Sequence, residues 1–395
     1  MVKVLAVSWF YHPKVGGVES VSKIINDNIV KRGHKVTVLT SGEKEEIDWI
    51  DGVKVIRIPE MTPGTNVDEK VREKIKNLIL EENCDLVHGH NLSYPFDPKK
   101  SLEIISICKE LKIKIIEHAH NAQLKTPEKT KKVILSDWDK IICVSDFVKK
   151  KLIEIGVDKN KLVIISNLLD SDLFNLDKID ENKRIELREK ISPEGDTIIF
   201  FPGRVVRMSA LEIGEQKQFK TVVSGLKKLK EKKIKFKLLI PNIKTSMDLS
   251  NKNGDKREKL VIDFIKEKGI YEDTYIFEKD LKLKDMPFAY AVSDIVCLPS
   301  LGETFGMVHL EAQSMGKPVI GAISGGTTEV VEDKKTGFLI KEKNENELAI
   351  YLEKLIKNKD LGIEMGKSGK KRVEELFSKE KILDELLKIY KDILR

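Results

Sequence analysis

Short runs rich in Val, Ile and Leu alternate with amphipathic helical stretches along most of this chain, and that alternation constrains the fold more than any other feature. A parallel sheet needs such a pattern, because neighbouring parallel strands must be joined by a crossover long enough to hold a helix. The spacing predicts strands at 2–8, 34–40, 53–58, 85–90, 113–118, 139–144 and 161–166, with helices near 18–32, 67–82, 98–111, 124–136 and 146–155. These make one doubly wound domain over 1–175. Between Asn167 and Ser192 the apolar periodicity weakens and charges cluster, so 176–192 reads as a linker. The alternation restarts at TIIFFPGR (197–204) and continues through 236–241, 274–277, 294–299 and 318–322, giving a second domain over 193–377. Beyond Phe338 the pattern is almost wholly helical, and a break at Phe377-Ser378 sets off a last helix over 378–395, which Ser378 would cap and which would pack back on the first domain. The expected class is α/β with two facing Rossmann-like domains. Ligands of such sheets bind beyond the carboxyl ends of the strands, which puts a site in the interdomain cleft.

Composition agrees with two folded domains. A chain of 395 residues exceeds what one core usually supports, and 41% hydrophobic with 34% charged residues argues against disorder. The net charge of +7 suits anionic small molecules or an anionic membrane surface. No zinc-finger spacing, RNP-like aromatic motif or basic arm accompanies it, so no nucleic-acid partner is expected. Cys84, Cys108, Cys143 and Cys297 are scattered without a CxxC pair, which fits buried thiols in a reducing cytoplasm. The opening MVKVLAVSWF reads as a strand and no run reaches membrane-spanning length, so the expected location is cytoplasmic, with any contact at the inner membrane face peripheral.

Four places carry residues suited to chemistry. The loop His12–Glu19 sits between a strand and a helix, and Gly16-Gly17 would let backbone approach a phosphate at the helix start, although a GG pair alone is more often a tight turn. The loop is neither GxGxxG nor GxxxxGK[ST], which withdraws support from a dehydrogenase or a P-loop NTPase. His88-Gly89-His90 and His118-Ala119-His120 end two strands, and an HxH pair on a strand points both rings to one face. Two such pairs would offer four metal ligands, but one histidine contacting substrate beside a packed neighbour is the better reading, and no metal is assigned. Gly203-Arg204 follows a strand and aims a guanidinium at the cleft, where its fork suits diphosphate oxygens, with Lys217 and Lys220 beyond a polar insertion. In PSLGETFGMVHLEA (299–312), Glu303 lies on a loop and Glu311 inside the following helix, with the amides of Thr304, Phe305, Gly306 and Met307 between them. Carboxylates suit sugar and ribose hydroxyls and amides suit phosphate, so one loop addresses both halves of a nucleotide sugar.

Taken together and in order, PxxGG at 13–17, DLVHGH at 85–90, the histidine at 118–120, CVSDFVKKKL at 143–152, VIISNLLDSDLF at 163–174, FFPGR at 200–204, E-x7-E at 303–311, and SGGTTEVVED with TGFLI at 324–340 resemble the retaining glycosyltransferases of family four. The resemblance spans nearly the whole chain and implies the GT-B fold, with an acceptor-binding first domain and a second domain that binds the donor. It implies a metal-independent transfer, of the hexosyltransferase type, from a nucleotide-diphosphate sugar to a sugar, lipid-linked or small-molecule acceptor, with the donor a co-substrate and no cofactor. By position, Arg204 and Lys217 would clamp the diphosphate, Glu303 would contact the donor sugar, Glu311 would hold the ribose hydroxyls, and Gly16 and Gly17 would lie against donor phosphates or acceptor. His120 best matches the family's active-site histidine, with His118 its nearest competitor.

This chain departs from the family twice. The usual Arg, about five residues, then Lys-Gly becomes RVVRMSALEIGEQKQF (204–219), longer and without the glycine, and the usual Asn-Gly becomes Asn167-Leu168. Asp170-Ser171-Asp172 imitates a metal-binding DxD but falls in the connector. Lys125 to Lys132 and Lys149 to Lys151 form two basic stretches where a solvated face competes with docking on anionic lipid. Two rival functions remain: a nucleotide-sugar 2-epimerase of the same fold, and a nucleotide-sugar-binding protein without catalysis.

Overall fold

The computed structural model describes residues 1–14, 16–93, 97–121, 128–206, 212–243, 254–278 and 281–395. The chain divides into two units, one of Met1–Leu169 with Phe377–Arg395 and the other of Asp170–Leu376. In the first, the strands β1 (Lys3–Ser8), β2 (Lys35–Ser41), β3 (Glu46–Ile50), β4 (Val53–Ile58), β5 (Leu86–His90), β6 (Lys114–Ala119), β7 (Lys140–Cys143) and β8 (Leu162–Ile164) form one sheet in the order β3-β4-β2-β1-β5-β6-β7-β8. All neighbours are parallel except β3 and β4. Helices follow β1, β4, β5, β6 and β7, and β5 is buried along its whole length, as a parallel strand covered on both faces should be. Carboxylate and hydroxyl caps begin several helices: Asp68 accepts from Val71 N, Asp97 from Lys100 N and Ser145 from Val148 N.

The apolar pattern did not reveal β3. It is an edge strand, with Ile47 and Trp49 60% and 71% exposed, so it carries little of the buried signature on which that pattern relies. Asp51 and Gly52, with φ of 52° and 84°, turn it back onto β4, the two-residue hairpin for which Asp-Gly is the usual choice.

The second unit holds β9 (Thr197–Phe200), β10 (Phe236–Ile240), β11 (Thr274–Ile276), β12 (Ile295–Cys297), β13 (Val319–Ala322) and β14 (Gly337–Ile340), all parallel, in the order β11-β10-β9-β12-β13-β14. Its core gathers Phe201, Phe219, Leu238, Val261, Phe338 and Leu352. Each sheet reverses its direction of winding once. In the first the chain steps outward from β1 to β2 and β4, then returns to the other side of β1 with β5; in the second it steps from β9 to β10 and β11, then returns with β12. At such a reversal the two flanking helices lie on opposite faces, and the carboxyl ends of the two central strands border an open crevice.

Two stretches differ from expectation in detail. The region 176–192, expected as a linker, contains a 3-10 turn at Leu176–Lys178 and a helix at Glu181–Ile191 that belong to the second unit. Asp180 caps that helix, and Arg188 ties it to β12 through Asp294 and the Val292 carbonyl. It buries only Ile191, so apolar periodicity had nothing to register. Past Phe338 the chain is helical as expected once the four-residue β14 has ended.

The last helix, Lys379–Ile393, belongs to the first unit. It buries Ile382, Leu383, Leu386, Leu387 and Tyr390, and Arg32 at the end of the first helix bonds Asp384 and the Glu380 carbonyl. Ser378 holds the N-cap position but makes no capping bond with its side chain. No helix among the described residues is long and apolar enough to cross a membrane.

The helix Lys359–Leu376 lies so close to the turn after Ser314 that a Cβ on Gly366 would run into the Gly316 carbonyl, whereas one on Gly362 would make an ordinary 3.6 Å contact with Pro318. Gly366→Ala is expected to cost about 1–3 kcal/mol by overpacking. Gly362→Ala is expected to be neutral or to gain up to about 1 kcal/mol. Urea denaturation of both variants checks this, and an equal response would contradict the packing described.

Candidate active site

In the second unit the expected residues lie beyond the carboxyl ends of β9 and β12. Phe200 ends β9, and the chain then runs Pro202-Gly203-Arg204 so close to β12 that a Cβ on Gly203 would lie 2.5 Å from the Leu298 side chain. Arg204 is exposed and lines a cavity of about 200 Å³ together with Asn242, Arg257 and Met286. Two guanidinium groups in one cavity favour an anionic ligand. The long insertion after Arg204 is closed by an antiparallel bridge between Val206 and Ile213; residues 207–211 lie outside the described residues.

The loop after β12 is held from both sides. Leu301 N donates to Gln216 O at 2.8 Å, Gly302 N to Ser324 Oγ at 2.9 Å, and Gly326 N to Glu303 O at 2.6 Å. Gly325 and Gly326 press onto it: a Cβ on Gly325 would strike the Glu303 carbonyl, and one on Gly326 would sit 2.5 Å from Thr304 O. The SGG segment is thus a backing plate for the acidic loop. Its adjacent glycines are a readable signal, although sequence reasoning gave them no role.

Glu303 forms an ion pair with Lys217. Burial pushes the Glu303 carboxyl up, but the Lys217 ammonium outweighs it and holds the group below the usual carboxylate range. The conformation after Lys217 explains the missing glycine. Gln218 takes up φ 57°, the left-handed region that glycine normally fills. Its strain, of order 1–2 kcal/mol, is offset by a buried side-chain amide whose Oε1 accepts from Lys343 N at 2.9 Å and Thr221 Oγ1 at 3.2 Å. Gln218 thus holds a left-handed backbone at the position where the family usually has glycine.

Gly306, at φ 106°, precedes the helix Met307–Ser314, whose first amides have no intrahelical acceptor. Phe305 is buried against the core, and His309 lies beneath the loop with Nε2 3.1 Å from Leu298 O, lowered by burial to about 4. Glu311 accepts a 2.6 Å hydrogen bond from the Tyr290 hydroxyl. Burial pushes its carboxyl up to about 7, against the opposing effect of that bond. Tyr290, from the helix Met286–Val292, stands edge-on to Phe200 at the end of β9 with ring centres 5.3 Å apart. No motif pointed to Tyr290.

In the first unit Gly16 is the N-cap of the helix Gly17–Lys31, in extended conformation, and a Cβ on Gly17 would meet nothing within 4 Å. Val15 lies outside the described residues. Beside this loop Tyr11, Lys14, Ser41, Arg57 and Thr65 line a cavity of about 560 Å³. On the other side of β1 the four expected histidines form one buried cluster at the ends of β5 and β6, where His90 pairs with His118 in register. The rings stack: His88 and His90 are 4.3 Å apart, as are His118 and His120, and His90 and His118 are 5.5 Å apart. Burial lowers His88 and His120 to about 3 and His90 and His118 well below the usual imidazole range. The backbone of His120 is fixed by Asn91 Oδ1 at 3.1 Å, and an Asn167 side-chain bond partly opposes the effect of burial on its ring. His120 is 5% exposed and His118 1%. Glu117, directly before His118 in β6 and so aimed at the opposite face, is raised by burial to about 8 and accepts from Ser93 N, Ser93 Oγ and Leu92 N. Of the two basic stretches, Lys125 and the side chain of Lys129 lie outside the described residues, while Lys150 and Lys151 pair with Asp146 and Glu154.

A carboxyl raised from 4.5 to about 7 favours the folded state when protonated, so its contribution is complete below about 4.5 and is lost as pH rises through about 7. Glu311→Gln is therefore expected to melt at the wild-type temperature near pH 4 and several degrees higher at pH 8. Scanning calorimetry at the two pH values checks this; a gap that does not change with pH would contradict it.

Comparison with known proteins agrees with this geometry. Residues 15–173 match the family model described as Glycosyltransferase Family 4, and residues 182–372 match that of Glycosyl transferases group 1. An uncharacterised glycosyltransferase of Methanocaldococcus jannaschii is 24% identical over 99% of this chain and 98% of its own length. The N-acetyl-alpha-D-glucosaminyl L-malate synthase of Bacillus anthracis is 25% identical over 97% and 96%. The crystal structure of Anabaena HepE in complex with UDP and glucose superposes with a TM-score of 0.78 at 16% identity, covering 99% of this chain and all of that one. Two Rossmann-like sheets, each with its polar groups at the reversal of winding, and family matches across both units make this chain a glycosyltransferase of family four with the GT-B fold.

Proposed function

We propose that the protein is a retaining transferase that moves a sugar from a nucleotide-diphosphate donor to an acceptor without a divalent ion. What carries the reading is the division of labour between two carboxylates on one element: Glu303, held ionised beside Lys217, and Glu311, bonded to Tyr290 one helix turn inward. Arg204 and Lys217 would grip the diphosphate and stabilise the charge that grows on it as the glycosidic bond breaks, and the first amides of Met307–Ser314 would add to that field. Glu303 would orient the donor sugar and Glu311 would accept from the ribose hydroxyls. Anabaena HepE, with UDP and glucose bound on a similar fold, supports a donor of this class.

In the step proposed, an acceptor hydroxyl oxygen bonds to the anomeric carbon on the face the diphosphate is leaving, and its proton passes to a departing phosphate oxygen. No protein nucleophile enters, in contrast to retaining glycosidases with their two flanking carboxyl groups. His120 would fill the role of the family's active-site histidine. Gly16 and Gly17 would admit phosphate or acceptor, the open space at Gly17 being what close approach requires. The cavity beside that loop, with Lys14 and Arg57 in its wall, suits an acceptor bearing negative charge. Peripheral contact with anionic lipid would be weak and salt-sensitive, since Lys150 and Lys151 already have acidic partners.

A thermal-shift panel of UDP, GDP and ADP tests the donor reading. One base is expected to raise the midpoint, and chelator to leave that rise unchanged. With the matching sugar nucleotide, Glu303→Gln is expected to lose transfer, and Arg204→Ala to lose about 10²–10³-fold in kcat. An altered free nucleotide sugar as product would favour the epimerase instead. Binding with neither transfer nor slow donor hydrolysis would favour a non-catalytic protein, and a divalent requirement would contradict the metal-free step.

A further inference from the structure

The histidine cluster holds more donor atoms than a single substrate contact uses. Four of the seven histidines in the chain lie here, and three of them present ring nitrogens that are all within 4.8 Å of one another: His88, His90 and His118. Among the described residues, His88 Nε2, His90 Nε2 and both ring nitrogens of His118 are buried without a hydrogen-bond partner. Buried polar atoms are seldom left in that state, and four on adjacent rings need a common explanation.

The remaining nitrogens are arranged as supports. His88 Nδ1 lies 2.6 Å from the Tyr390 hydroxyl, and His90 Nδ1 lies 3.3 Å from His120 Nε2. Each leaves its Nε2 as the unpartnered atom, and a second partner on Nδ1 of this kind fixes the tautomer and orientation of a metal-binding ring. We propose that His88, His90 and His118 bind one divalent transition-metal ion of the zinc type in the first unit. An all-imidazole set, with neither thiolate nor carboxylate, selects zinc, cobalt or nickel over calcium or magnesium. Tetrahedral zinc with bonds of about 2.0–2.1 Å sets its nitrogens about 3.3 Å apart, so closure from separations of up to 4.8 Å requires ring movements of about 1 Å and rotation of the stacked His88 and His118 rings. The fourth position falls to water. The ion is structural: it joins the ends of β5 and β6 and, through His88 and Tyr390, secures the returning C-terminal helix.

This inference does not rest on the transfer reading, because the diphosphate groups of the second unit take no part in it. The test unfolds the full chain in denaturant with chelator, refolds it with either Co²⁺ or chelator, and dialyses both samples. The cobalt sample is expected to retain one equivalent, to show the visible absorption of a tetrahedral or five-coordinate nitrogen site, and to melt about 5–10 °C above the chelator sample. His118→Asn and His88→Asn are expected to lose the band, while His34→Gln keeps it. Absence of bound cobalt from the refolded wild-type chain would overturn the proposal whether or not the variants fold, as would a band that survives in both cluster variants. The nucleotide-induced shift, measured on the metal-free chain, reports on the transfer reading separately.

Discussion

The Gly16-Gly17 loop, Arg204 and the Glu303 loop follow strands that flank the place where a parallel sheet changes its direction of winding. Parallel strands can grow from a central strand in only two directions, and the chain leaves a crevice beyond the strand ends where it changes from one to the other. In the first unit that crevice lies between β1 and β5, with the Gly16-Gly17 loop on one side and the histidines on the other. In the second it lies between β9 and β12, with Arg204 on one side and the Glu303 loop on the other. Repeating one topology twice supplies two sets of polar groups without disturbing the apolar interior of either sheet.

Those polar groups carry a cost in stability that the surroundings offset unevenly. Glu303 is stabilised in its charged form by Lys217, whereas Glu311 and Glu117 are pushed towards their neutral forms by burial that neutral hydroxyl or amide donors only partly relieve. On the proposed function, the Glu311 carboxyl near 7 is one that a ligand completes: two ribose hydroxyls would supply the donors that the protein alone does not. The acidic loop itself has little freedom, being bonded to Gln216 on one side and to Ser324 and Gly326 on the other. Such a loop presents its ligands with little left to reorganise.

How much of this was legible in the sequence depended on burial. Strands such as β9 and β12, buried throughout, announce themselves as continuous apolar runs, and the loops that follow them carry Arg204 and Glu303. The edge strand β3 and the helix Glu181–Ile191 bury too little to leave a periodic signal, although Asp51-Gly52 and the Asp180 cap marked their ends. Contacts between distant segments left no trace: Tyr290 on Glu311 and Tyr390 on His88 join residues 21 and 302 positions apart. Gln218 shows the opposite case. Where the family usually has a glycine after the lysine, this chain holds a left-handed residue by side-chain bonds.

The central claim is that one nucleotide spans the second unit, with its diphosphate on Arg204 and Lys217 and its ribose on Glu311. Calorimetric titration of the preferred nucleoside diphosphate and its 2′,3′-dideoxy analogue, into the wild-type chain and into Glu311→Ala, tests it directly. The account expects the wild type to bind the analogue at least tenfold more weakly and the variant to bind both ligands alike. An undiminished preference for the hydroxylated ligand in the variant would place the ribose elsewhere and contradict the account.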